Sequence, residues 1–114
     1  MCKTIESLFD REIISSKRQF LSGYQFTLGP LTPRVTIRLY KNLENGRVEF
    51  EQSHYIHTSS NPAGPYIAAA KWGEDEYDAM WRALNTLTMN YEAAIRSEEE
   101  PNDSWLVPNP DWVS

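Results

Sequence analysis

Trp72 to Ser97 (WGEDEYDAMWRALNTLTMNYEAAIRS) is the one segment with sustained helical periodicity, and it leaves the rest of the chain little freedom. Tyr77, Met80, Trp81, Leu84, Leu87, Thr88, Tyr91, Ala94 and Ile95 recur at spacings of three and four, which lines them along one stripe of a 3.6-residue helix. Glu76, Arg82, Asn85 and Glu92 fall on the opposite face. Gly73 breaks the preceding extended run, and Glu74, Asp75, Glu76 and Asp78 crowd the first turn, where carboxylates meet the positive end of the helix dipole. Glu98, Glu99, Glu100 and then Pro101 close it, so the pattern predicts a helix over 74–97 that frays at its acidic end. Such a stripe needs a second layer to bury it.

That layer is legible upstream. Arg34–Glu44 and Arg47–His57 are two alternating runs joined by Asn45-Gly46, a dipeptide that suits the positive φ angles of a two-residue I′ turn. The turn would pair Leu43 with Val48, Lys41 with Phe50, Leu39 with Gln52, Ile37 with His54 and Val35 with Ile56. Val35, Ile37, Leu39, Leu43, Val48, Phe50 and Ile56 then share one face, and Arg34, Thr36, Arg38, Tyr40, Glu49, Glu51, Tyr55 and His57 share the other. A slip of one residue would mix the faces. Before the hairpin, Tyr24, Phe26 and Leu28 alternate as a half-buried strand that Gly29, Pro30 and Pro33 interrupt. Residues 4–15 suit a short helix with Thr4 as N-cap and Ile5, Leu8, Phe9 and Ile13 on one face; residues 11–23 read as either helix or strand. Thr58–Gly64 is a loop by composition. Pro65–Lys71 is extended, with Tyr66, Ala68 and Ala70 on one face and room for a close neighbour, most simply the helix.

The expected fold is therefore α+β: an antiparallel sheet of three to five strands, a meander around the 34–57 hairpin, packed against one long C-terminal helix. Residues 1–97 form a single domain. Residues 98–114 are an acidic linker and an apolar arm, in which Trp105, Leu106, Val107 and Trp112 call for docking and two prolines forbid a helix. The arm could cover its own domain or cross to a neighbour, and a homo-oligomer with exchanged arms is expected.

The chain carries a net charge of −5. Residues 1–57 hold eight basic and six acidic side chains, and residues 58–114 hold three and ten. An acidic chain lacks the basic footprint that nucleic acid demands. Its apolar runs are too short to span a membrane, and the charged first residues show no secretory signal. One cysteine, Cys2, cannot form an internal disulfide, which fits a cytoplasmic protein.

Chemistry is sparse. Two histidines and the one cysteine have no zinc-type spacing, and no cofactor fingerprint or nucleophile elbow is present. Glu49 and Glu51 share a strand face with Arg38 and Arg47, which reads as paired surface charge. His57-Thr58-Ser59 is a single His-x-Ser element. Paired elements of this kind resemble the active sites of two-histidine phosphoesterases, where each histidine acts as acid or base and each hydroxyl holds phosphate. Only one copy is present, and His54, three residues earlier on a strand, points to the opposite face. A phosphoester enzyme built on His57 with residues from a second subunit is the catalytic alternative. The sequence favours a non-catalytic binding protein. Its candidate surface is the outer hairpin face: Arg34, Arg38, Tyr40, Tyr55 and His57 beside the Ser59-Ser60-Asn61 loop. Arginine forks and tyrosine rings there suit a small anionic, nucleotide-like ligand. A further alternative is an acidic inhibitor or adaptor that captures a basic protein partner.

Overall fold

Alternation builds the centre of the molecule. In the computed structural model, which describes residues 4–59 and 63–113, β2 (Val35–Asn42) and β3 (Val48–Gln52) form an antiparallel pair in which Val35, Ile37 and Leu39 of β2 and Val48, Phe50 and Gln52 of β3 are buried. β1 (Arg18–Phe26) pairs with the other side of β2, and β5 (Trp72–Gly73) with the other side of β3, giving the order β1-β2-β3-β5. Residues 18–23, readable from sequence as helix or strand, are thus extended. The strand that continues from β3 leaves the sheet at Ser53. β4 (His54–Ile56) then pairs with β6 (Leu106–Pro108) of the C-terminal arm in a second, two-stranded sheet.

The hairpin register is two residues away from the expected one. Ile37 lies opposite Gln52, Leu39 opposite Phe50 and Lys41 opposite Val48. The cause is local. Asn42 Oδ1 accepts the N–H groups of Glu44 and Asn45 at 2.8 and 3.3 Å, and the Gly46 N–H donates to the Asn42 carbonyl at 2.8 Å. The Asn42 side chain therefore opens a wider loop over 43–46, with Gly46 at φ +76° closing it. A shift of two keeps every side chain on its face, so Val35, Ile37, Leu39, Val48, Phe50 and Ile56 are all buried as expected; Leu43 sits half-buried in the loop.

α1 (Glu76–Arg96) covers that face. Asp75 caps it, accepting the Asp78 N–H at 2.7 Å, while Asp78 accepts the Glu74 N–H at 3.0 Å, a reciprocal arrangement that satisfies two otherwise orphan donors. The Glu74 N–H and Arg82 hold the Asp78 carboxyl below its usual pKa. The C-terminus is closed rather than frayed. Glu98 N–H donates to the Ile95 carbonyl and Glu99 N–H to the Ala94 carbonyl, with Glu98 in the left-handed conformation at φ +60°, which is a Schellman motif.

The rotation of α1 differs from the expected stripe. Its buried residues are Ala79, Ala83, Thr86, Leu87 and Ala94, while Met80, Leu84 and Tyr91 are half-buried and Tyr77, Trp81 and Ile95 are exposed. At 100° per residue the buried face lies about a quarter turn from the centre of the large-residue stripe. Two contacts set it. Gly73 lies so close to the first turn that a Cβ there would stand 2.5 Å from the Ala79 nitrogen. Thr86 Oγ1 lies 3.2 Å from Nε2 and 3.3 Å from Oε1 of buried Gln52. Alanines on the buried face let the helix come close to the sheet, and large side chains there would hold it off.

The N-terminal helix shrinks to one 3-10 turn, Glu6–Phe9, after Thr4, whose hydroxyl accepts the Ser7 N–H at 3.2 Å. None of its residues is buried. In the 65–71 segment only Tyr66 bridges to Ile56, and the strand pairing falls one step later, at Trp72–Gly73. The arm docks on its own chain: Trp105 and Leu106 join the core cluster, and Tyr91 meets Trp105 edge to face at 5.9 Å. Asp103 anchors it, accepting the Thr32 N–H at 2.9 Å and the Thr32 hydroxyl.

Candidate functional site

The outer hairpin face is occupied by its own side chains. Arg38 stacks over the Trp112 ring at 4.3 Å and donates to the Val113 carbonyl at 2.6 Å. Tyr40 lies beneath the Arg18 guanidinium at 3.9 Å and edge-on to Phe20. Tyr55 is only 6% exposed, with Lys71 Nζ 3.4 Å from its hydroxyl. Cation–π stacking of this kind contributes about 0.5–1 kcal/mol at exposed sites, and it draws these cations onto rings of their own chain.

The remaining candidates lie apart from that cluster. Arg34 is exposed just before β2. His57 follows β4, half-buried, with its N–H donating to the Trp105 carbonyl at 2.7 Å. Ser59 N–H donates to Glu99 Oε1 at 3.2 Å, at the far end of α1. Ser60 and Asn61 lie outside the described residues. Of the arm candidates, Val107 pairs with Tyr55 and is half-buried, like Trp112.

What the face does contain is a shallow cavity of about 270 Å³, between the sheet and the arm, lined by Tyr55 and Trp112 with Arg18, Lys71, Glu49, Glu51 and Asp111. Arg18 bridges Glu51 at 3.0 Å and Glu49 at 3.9 Å, so the partner of these carboxylates is Arg18, rather than the expected Arg38 and Arg47; Arg47 stacks on Trp72 at 3.9 Å. Three carboxylates against two cations make a poor anion trap. Among the described residues no three His, Cys, Asp or Glu side chains form a metal-binding group. Burial at the seam where β3 gives way to β4 pushes the His54 pKa down.

A second concavity was not visible in the sequence. The quarter-turn rotation of α1 opens a groove of about 520 Å³ between the helix and the 66–70 segment. Ala68, Ala69, Ala70 and Ala93 line it together with the larger Tyr66, Trp81 and Met89, while Arg82, Asn85, Asn90 and Arg96 add polar groups. Trp81 and Met89 are 55% and 62% exposed. Arg82 is bonded to Asp78 at 3.1 Å, one turn back along the helix; among the described residues Arg96 makes no ion pair. Fourteen positions separate the two arginines, which sets them about 21 Å apart along the helix axis. A tryptophan and a methionine on an open helix face are the residue types that dominate binding energy and adapt to a partner's shape. The signal that could have found this groove is the run Ala68–Ala70 read together with the alanines of α1, because small residues mark where two elements approach.

Among the described residues no helix is long and apolar enough to cross a membrane. Comparison of the chain with family models, with curated proteins and with solved structures gave no match to any of them.

Proposed function

We propose that this is a non-catalytic interaction protein of the cytosol, and that it receives an apolar, carboxylate-bearing segment of a partner protein in the groove beside α1. One observation carries the reading: α1 faces its own sheet with alanines and spends Trp81 and Met89 on an open groove. Burying such side chains contributes about 1.5–3 kcal/mol each, and here that gain is left to an incoming chain. The chemistry of the occupant follows from the walls. Alanine, indole and thioether surfaces take apolar side chains, and Arg96, which makes no ion pair among the described residues, takes an acidic group. Cytosolic placement rests on the single cysteine of the chain, which no internal disulfide can use.

A small anion on the outer hairpin face draws less support, because Arg38 and Arg18 already hold ring, carbonyl and carboxylate partners. Capture of a basic protein rests on net charge alone, and His57 has no second His-x-Ser element beside it in the sequence.

Selection of binders from a displayed library of random peptides tests the proposal directly. The peptides recovered should combine large apolar residues with Asp or Glu. They should lose at least tenfold in affinity for Trp81→Ala and Met89→Ala, and less for Arg96→Gln. Peptides that bind these three variants as well as the parent chain would refute the groove.

A further inference from the structure

Among the described residues β1 has one neighbour in the sheet, and α1 lies over β2, β3, β4 and β5 instead. Backbone accounting shows which groups this leaves over. The Asn42 N–H donates to the Arg47 carbonyl, and the Ser53 N–H donates to the Thr36 carbonyl, so the even positions of β2 bond toward β3. The odd positions bond toward β1, where Ile37 and Val35 face Tyr24 and Phe26. Gly23 and Gln25 therefore turn their N–H and C=O groups to the open edge.

This edge carries few of the features that keep strands from pairing. Its nine residues include one charge, Arg18 at the start, and no proline. The β-bulge falls between Phe20 and Ser22 and leaves Ser22–Phe26 in regular register. Beside it the helix is apolar as well. Tyr91 rests against Gly29, just past the end of β1, so the flank of α1 that carries Tyr91 is the one toward β1. Met89 and the groove lie on the opposite flank of α1 from Tyr91.

We propose that a second copy of this chain pairs antiparallel across the β1 edge, joining two four-stranded sheets into one. Centred on Tyr24, this pairing sets Gly23 of one copy opposite Gln25 of the other, and both exchange hydrogen bonds. The two-fold axis brings the two Tyr24 rings together on the side of the sheet that carries α1. Tyr24 and Phe20, 55% and 56% exposed, present ring surface beside this edge, one on each side of the sheet. The pairing does not depend on the groove, which lies on the other flank of α1.

Sedimentation equilibrium of the full chain tests it, with two variants that a lone subunit tolerates. Gln25→Pro removes an N–H that points to solvent in the single chain, and Tyr24→Glu changes a side chain 55% exposed in the single chain and sets two carboxylates face to face at the axis. The parent chain should sediment at twice the chain mass. Both variants should fall to the single-chain mass with unchanged far-UV circular dichroism, and Met89→Glu should leave the assembly intact. A parent chain that stays at single-chain mass at every concentration, or an assembly that survives both variants, would overturn the proposal.

Discussion

β3 and β1 flank the same strand, β2, and meet opposite fates. In β3, Val48, Phe50 and Gln52 are buried under α1, and the other edge is paired by β5. In β1 the residues that share the helix side, such as Tyr24, look out past the helix, and among the described residues no strand pairs with the far edge. The two strands do not differ much in apolar content. They differ in where α1 sits, and that was decided by Gly73, Ala79, Ala83 and Thr86. Small residues chose which strands are core, and large ones took what was left.

The contrast can be broken most sharply by truncating one ring in each strand. Phe50→Ala should cost about 3–5 kcal/mol, as for other buried aromatics. Tyr24→Ala, on the same side of the sheet but 55% exposed, should cost about 1 kcal/mol or less in the isolated subunit. Urea unfolding at low protein concentration gives both values. A larger cost for Tyr24→Ala at high concentration would sharpen the contrast, since it would come from the second copy.

Gly73→Ala comes next. Its Cβ would press on the backbone of Asp78 and Ala79, not on the end of a flexible side chain. Overpacking of this kind costs about 1–3 kcal/mol and would lift the start of α1 away from β3 and β5. The opposite sign is expected at the other end of the helix. Glu98→Gly should raise stability by about 1 kcal/mol, because glycine adopts the left-handed cap without strain and a negative charge leaves the helix C-terminus. Thermal unfolding monitored by circular dichroism reads both changes.

The smallest effect is one of pH. The Asp103 carboxyl is held below its ordinary value by the Thr32 hydroxyl and N–H. A depressed folded-state pKa means that its contribution is complete above the unfolded value of 3.8 and is lost as pH falls through the folded one. The arm should therefore loosen in acid before the β2–β3 pair does. Thr32→Val should flatten that part of the stability profile below pH 3.8. A profile identical to the parent's would separate the latch from the arm's docking.

The sequence revealed the faces of the hairpin because alternation is a property of each strand alone. It missed the register because a shift of two preserves alternation, and the deciding contact was one side chain, Asn42, folding back on the turn. The existence and length of α1 were equally plain. Its rotation was not, because periodicity weighs large side chains whereas helix–sheet distance is set by the small ones. The surroundings of the candidate site were hidden for a different reason. Arg38 and Tyr55 were read as free to meet a ligand, but Trp112, Val113 and Lys71, distant in sequence, reach them first. Trp105 and Leu106 did need docking, and β4 was exposed as their partner only once the strand broke at Ser53.

The proposed groove rests on the rotation of α1, and two substitutions on that helix test it directly. Leu87→Ala and Trp81→Ala are compared by urea unfolding followed by far-UV circular dichroism, at a concentration where the chain is single. Leu87 is fully buried and should cost about 2–5 kcal/mol; Trp81, facing the open groove, should cost no more than about 1 kcal/mol. A Trp81→Ala cost of about 3 kcal/mol or more, on the order of a buried aromatic, would mean that the tryptophan stripe faces the sheet after all, and would contradict the groove.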